Sequence, residues 1–100
     1  MNWNEFEGLE QKKLNLGGGG DCHPVKHYEN YVAVDLETSA EFGISHDLTK
    51  PIPIQSDSVD TVLSEHFFEH IPAQYGVLLV NECLRILKPG GNLRIAVPDY

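Results

Sequence analysis

Four consecutive glycines follow directly on a short apolar segment, and this arrangement constrains the fold more than any other feature of the sequence. The segment Lys13–Leu16 runs into the glycines at positions 17–20. A second apolar segment, residues 31–35, ends in the carboxylate of Asp35. A strand that ends in glycine lets a ligand approach the backbone, and a carboxylate that ends the neighbouring strand can accept hydrogen bonds from two ribose hydroxyls. Together the two segments predict a nucleoside pocket.

Charge and composition exclude several classes of partner. Fifteen acidic residues against seven basic ones give a net charge of −8, which repels a phosphate backbone, so we expect no nucleic-acid partner. The sequence contains neither a long apolar run nor a basic leader, so we expect a cytoplasmic protein with no membrane partner. Cys22 and Cys83 lack CxxC spacing, and we interpret both as free thiols.

Hydrophobic patterning predicts an α/β domain. The expected strands cover residues 13–16, 31–35, 42–47, 59–63 and 93–97, and an N-terminal arm or helix precedes them. A long helix is expected between the last two strands, beginning after Pro72 and ending at the Lys-Pro-Gly-Gly turn of residues 88–91. Its predicted core face consists of Tyr75, Leu78, Leu79, Cys83, Ile86 and Leu87. A right-handed strand–helix–strand crossover then makes the fourth and fifth strands parallel neighbours.

Four stretches of the sequence resemble, in the expected order, the class I S-adenosylmethionine-dependent methyltransferases. They are residues 13–19, 31–36, 46–48 with 56–63, and 84–91 with 93–99. The Leu-Lys-Pro-Gly-Gly turn before the fifth strand is the most specific of them. The glycine loop departs from the family pattern, because Asn15 stands where an acid is usual and the glycines are contiguous.

The resemblance implies a Rossmann-like, open and mainly parallel sheet in a single methyltransferase-like domain of residues 1–100. Residues 1–12 would form the arm or helix, and residues 13–100 the cofactor-binding core. The family sheet has two more strands after the fifth, so we expect this sheet to be incomplete at its C-terminal end. An unpaired edge on the fifth strand predicts a homodimer.

The resemblance also implies a cofactor site for S-adenosylmethionine, with S-adenosylhomocysteine as the product. The glycine loop would lie under the methionine part, Asp35 would hold the ribose, Asp47 and Leu48 would contact the adenine, and the end of the fourth strand would line the sulfonium. The full predicted set is Leu16, Gly17, Gly18, Gly19, Asp35, Leu36, Asp47, Leu48, Ser64, Glu65 and His66. All these positions lie at the carboxyl ends of predicted strands.

Methyl transfer from a sulfonium is an in-line displacement, so the protein mainly has to orient a small-molecule acceptor. A general base is needed only where the acceptor must lose a proton, and His66, Glu65 and His70 are the nearest candidates for acceptor contact or for that role. The sequence does not name the acceptor.

Two alternatives stay open at the level of sequence. The first is a non-catalytic, dimeric module that binds S-adenosylmethionine. The second is a zinc hydrolase, because His66, Glu69 and His70 match the H-x-x-E-H pattern of inverzincin metallopeptidases. That chemistry needs both histidines on one regular helix and a third ligand, whereas Pro72 marks a helix start just afterwards, so we expect no metal site.

Overall fold

The computed structural model describes residues 1–17, 31–36, 43–65 and 67–97 of the chain. Helix α1 spans Trp3–Glu7 and helix α2 spans Ala73–Ile86. The strands are β1 (Lys13–Leu16), β2 (Val32–Asp35), β3 (Gly43–Ser45), β4 (Val59–Glu65) and β5 (Leu87–Ala96), and a short 3-10 turn covers Phe68–His70. They form one sheet in the order β3-β2-β1-β4-β5 with every pair parallel, which confirms the predicted α/β, Rossmann-like sheet.

Strand β1 lies at the centre of the sheet and carries the middle of the core. Leu14 and Leu16 have no solvent exposure, and Leu14 stands in register with Val32 on one side and Val62 on the other. The partner strands bury four valines, Val32, Val34, Val59 and Val62, as is typical of parallel sheets that are covered by other elements. The register therefore follows from matching the buried residues of three adjacent strands.

The N-terminal segment covers one part of this core. Helix α1 is capped by Asn2, whose side chain accepts from the backbone N–H of Glu5, while the Glu5 carboxylate accepts from the N–H of Asn2. Phe6 is fully buried, and the ring of Trp3 meets it edge-on with 5.9 Å between centroids. A five-residue helix has little stability of its own, so this burial holds it in place.

Helix α2 buries a narrower face than the sequence predicted. Leu79, Cys83 and Ile86 are buried, but Leu78 is 54% exposed and Tyr75 is 36% exposed, so the prediction was wrong for those two residues. The three buried positions follow the i, i+4, i+7 spacing, and Leu78 lies about 100° around the helix from Leu79. Apolar residues surround most of this helix, and periodicity alone did not separate the buried side from the exposed one.

Burial also determines the chemistry of the one thiol in the described ranges. Cys83 is a free cysteine, and burial together with the nearby Glu82 charge raises its pKa to about 12. The thiol therefore stays protonated and serves as an apolar core group.

Neither helix in the described part of the chain is long and apolar enough to cross a membrane.

Strand β5 begins six residues earlier than predicted, directly after α2. Between the pairs Leu87–Val59 and Asn92–Thr61, β5 carries four residues where β4 carries one, so residues 88–91 form a bulge within the strand rather than a turn before it. Gly90 has φ +82°, which the predicted turn chemistry anticipated. The Lys88 ammonium donates to the Asp60 carboxylate at 3.0 Å across the bulge.

An ion pair on α2 holds the segment that leads into β4. The Arg85 guanidinium donates to the Glu82 carboxylate at 2.8 and 2.9 Å and to the carbonyls of Ile52 and Ile54 at 2.7 and 2.9 Å. The Glu82 carboxylate in turn accepts from the Ile52 N–H at 2.7 Å. Residues 52–54 have no regular structure, so these bonds satisfy their backbone groups while Ile52 and Ile54 enter the core.

We expect Glu82→Gln to lower the free energy of unfolding by about 1 kcal/mol near neutral pH, because it removes the charge from a bidentate pair. Bonds from Arg85 and Ile52 lower the pKa of the Glu82 carboxyl below its ordinary value of 4.5. The stabilisation is therefore present above that value and is lost as the pH falls through the lower folded-state pKa.

Urea unfolding of both proteins at about pH 7 and about pH 2.5 measures this difference, which should shrink at the lower pH. Glu10→Gln, at an exposed position outside α1, is the matched control and should leave stability unchanged. A Glu82→Gln effect of equal size at both pH values would contradict the assignment to the ionised carboxylate.

Candidate functional site

Three hydrogen bonds draw the carboxyl ends of four strands together. From β4 to β3 they are the Ser64 hydroxyl to the Leu16 carbonyl at 3.2 Å, the Gly17 N–H to the Val34 carbonyl at 2.6 Å, and the His46 N–H to the Asp35 carbonyl at 2.8 Å. Gly17 is therefore bonded to Val34, the residue that precedes Asp35. Asp47 is the residue that follows the bonded His46. The described residues of the predicted site thus share one edge of the sheet.

This edge is the place where an open parallel sheet builds a ligand site. The chain leaves β1 towards β2 and β3 on one side, and β4 and β5 lie on the other side, so the direction of winding reverses between β1 and β4. Ligands of such sheets bind in the crevice outside the carboxyl ends of the strands at this reversal. Gly17 follows the last residue of β1 at that point.

The ring of Phe67 lies directly on Gly17. A Cβ atom added to this glycine would come within 2.4 Å of Phe67 Cδ1 and 2.8 Å of Phe67 Cβ, and the glycine has φ +78°. Both the backbone conformation and the contact exclude any larger residue. The close approach that the sequence predicted for a ligand is thus made here by an aromatic side chain. The predicted site residues Gly18 and Gly19 lie outside the described residues.

Asp35 has the position and the chemistry to bind a diol. Its Oδ1 accepts the N–H of Leu36 at 2.8 Å, which fixes the carboxylate at the end of β2. A carboxylate has about four acceptor sites on its two oxygens, so this bond leaves acceptor capacity for hydroxyl groups. Leu36 itself is 68% exposed and offers an apolar surface beside the carboxylate. This pairing fits a nucleoside, which presents a ribose diol next to a flat apolar base.

Asp47 and Leu48 follow β3 in the predicted adenine region. Asp47 Oδ1 accepts from the backbone N–H and the hydroxyl of Thr49 at 2.9 and 2.7 Å, and these bonds lower the pKa of the Asp47 carboxyl. This is the local turn that aspartate commonly makes. Leu48 is buried in the core, so its side chain supports the site from below.

The residues that follow β4 differ in what they contribute. Ser64 is fully buried, and its hydroxyl joins β4 to the end of β1. Glu65 ends β4 at an exposed position, and His66 lies outside the described residues. His70 is exposed at the end of the 3-10 turn.

The geometry around His70 bears on the zinc alternative. Residues 68–70 form a single 3-10 turn and Ile71 is extended, whereas the inverzincin pattern needs a regular helix. Within residues 1–17, 31–36, 43–65 and 67–97, no three His, Cys, Asp or Glu side chains lie close enough together to hold a metal ion.

Two aromatic contacts near this edge were not anticipated from the sequence. Phe67 follows His66, the last residue of the predicted site. Ligands bind at the carboxyl ends of parallel strands, and this signal could have pointed to Phe67 as well. The His46 ring packs edge-on against Trp3 with 5.5 Å between centroids, and its buried Nε2 has no hydrogen-bond partner among the described residues. No local sequence signal links residues 3 and 46.

Comparison with known proteins agrees with the architecture. A family model described as "Methyltransferase domain" matches residues 14–95, from within β1 to within β5. Comparisons with curated proteins and with solved structures give no match.

We expect Gly17→Ala to destabilise the fold by about 2 kcal/mol or more, because alanine at this φ is strained and its Cβ overlaps the Phe67 ring. In a Phe67→Ala background the overlap is gone, and the same change should cost only about 1 kcal/mol, the backbone part. A double-mutant cycle by chemical denaturation measures the coupling, which we expect to be about 1 kcal/mol or more.

Gly8→Ala is the matched control for this cycle. Gly8 has φ −82°, and an added Cβ would meet nothing closer than 3.5 Å. Its effect should be small and independent of residue 67. Additive effects of Gly17→Ala and Phe67→Ala would show that the ring does not restrict this glycine.

Proposed function

The chain belongs to the methyltransferase-domain family, and from that premise we propose that it binds S-adenosylmethionine and transfers its methyl group to a small-molecule acceptor. The observation that carries the proposal is the convergence of Gly17, Asp35 and Ser64 at the winding reversal of the sheet. A nucleoside-containing cofactor needs a diol acceptor at the end of a strand, and Asp35 supplies one beside the winding reversal.

The described residues fit the parts of this cofactor. Asp35 would accept hydrogen bonds from the ribose hydroxyls, and Leu36 would give the adenine an apolar surface. The cofactor supplies an activated methyl group on a sulfonium cation. Leu16 is fully buried under the end of β1, so it would keep the floor of the site rigid. Asp47, fixed by Thr49, would support the adenine end from β3.

The protein's own contribution to the reaction is orientation. In-line displacement requires the acceptor to lie on the far side of the methyl group at near-contact distance, and rigid strand ends provide that precision. His70 is exposed and lies in the segment that follows β4, so it is the described histidine that could remove a proton from an acceptor that must lose one. The net charge of −8 favours an uncharged or cationic small acceptor over a nucleic acid.

We expect the full chain to bind S-adenosylhomocysteine in a calorimetric titration and Asp35→Asn to weaken that binding by about 10-fold or more. The amide replaces one of the two carboxylate oxygens with a donor and removes the charge that strengthens both ribose bonds. Asp57→Asn is the matched control: Asp57 is an exposed turn residue with φ +56°, where asparagine is well tolerated.

The outcomes separate the alternatives. Absence of heat and of a thermal shift at millimolar ligand would contradict both methyl transfer and the non-catalytic binding module. Binding without turnover on any acceptor in a panel of small nucleophiles favours the binding module. Stoichiometric zinc in the purified protein, together with absence of nucleoside binding, would favour the hydrolase.

The homodimer is part of the same proposal. Among the described strands β5 is hydrogen-bonded to β4 alone, and Val77, Leu84 and Ile95 are exposed. A second copy that extends the sheet along β5 would satisfy the free backbone groups of this edge. Sedimentation should therefore give a dimer at high protein concentration, and a monomer throughout the range would contradict the proposal.

The cytoplasmic location of the protein stays a prediction from the sequence.

A further inference from the structure

The Phe67 ring occupies a fixed place at the edge where the strand ends converge. It rests on the α-carbon of Gly17, within van der Waals overlap of any added Cβ. The neighbouring Phe68 ring meets it edge-on, with 6.1 Å between centroids and 83° between planes. Phe67 thus has an aromatic neighbour on one side and the end of β1 beneath it, and these contacts restrict its rotamers.

The Phe67 residue keeps part of its surface exposed to solvent. Phe67 is only partly buried, although it packs against the core cluster. It lies two residues beyond Glu65, the end of β4, and it covers the end of β1, so it spans the two strands between which the winding reverses. A ligand that binds at the carboxyl end of β1 beside Gly17 therefore lies next to an aromatic ring.

An aromatic ring at this position has a chemical preference. The ring face carries negative electrostatic potential and attracts cations, above all those that lack strong hydrogen bonds to water. A sulfonium is such a cation, because its positive sulfur carries three carbon substituents and no N–H or O–H donor. The thioether that remains after methyl transfer is neutral and gains nothing from the ring quadrupole.

We infer that Phe67 is a specificity-determining residue that binds the sulfonium of the cofactor through its ring face and so distinguishes the charged substrate from the neutral product. This inference rests on the proposed function, because it assumes that the sulfonium end of the cofactor lies beside Gly17. Phe67 lies outside the predicted site, and its packing on Gly17 does not by itself require a contact with the cofactor.

Calorimetry with S-adenosylmethionine and S-adenosylhomocysteine in the absence of acceptor tests the inference. In Phe67→Leu and Phe67→Met the lost contact area weakens both ligands by a common factor. In addition, the ratio of the product Kd to the substrate Kd falls by about 3- to 10-fold, which corresponds to the loss of a cation–π contact. Phe67→Tyr retains the ring and should keep the wild-type ratio within about two-fold.

Phe68→Leu is the matched control, the same substitution one residue along, and its ratio should stay at the wild-type value. Circular dichroism melting of each variant confirms that it is folded before the titration. If Phe67→Leu and Phe67→Met weaken both ligands equally, or if Phe68→Leu changes the ratio as much, the inference is overturned. A wild-type chain that binds neither ligand would instead contradict the proposed function, so the two failures are distinguishable.

Discussion

The position of β1 between two parallel partners is the constraint on which the rest of the structure depends. Its residues 14–16 pair with β2 and its residues 13–15 pair with β4, and its two leucines are fully buried. A strand so enclosed leaves only its two ends accessible. Because the winding reverses between β1 and β4, the carboxyl end of β1 lies where open parallel sheets bind ligands, and Gly17 follows β1 there. The location of the site thus follows from the topology of the sheet before any side chain is considered.

Helix α2 fixes the second half of this arrangement. It passes into β5 without a loop, since Leu87 is both the helix cap and the first strand residue. The pair of Glu82 and Arg85 binds the backbone of the segment before β4, and the N–H groups of Asp57 and Ser58 donate to the last carbonyls of the helix. One helix therefore orients the start of β4 and the start of β5 together. The bulge at residues 88–91 then adjusts the register so that the two strands run in step to their ends.

The sequence predicted the elements whose signals are local. The β-branched run of residues 59–63 identified β4, and Pro72 correctly marked the start of α2. The start of β5 was not predictable by the same rules, because Pro89 and Gly90 are turn residues and only pairing with β4 includes them in a strand. The exposed side of α2 was missed because Leu78 is as apolar as Leu79, and only the position of the sheet distinguishes them.

The candidate site shows the same division between local and long-range information. The strand-end positions of Asp35 and Ser64 follow from the sequence, but the contact of Phe67 with Gly17 joins residues 50 positions apart and has no local signature. This contact changes the interpretation of Gly17. Its positive φ and the ring above it already require glycine for structural reasons, so the glycine by itself is not evidence of a ligand. The evidence lies instead in the neighbouring carboxylate of Asp35 and in the hydrogen bonds that bring the strand ends together. Because the Phe67 ring covers the backbone of Gly17, it also forms part of the surface that a ligand would contact. Phe67 is therefore more informative than Gly17 about the chemistry of a ligand at this end of the sheet.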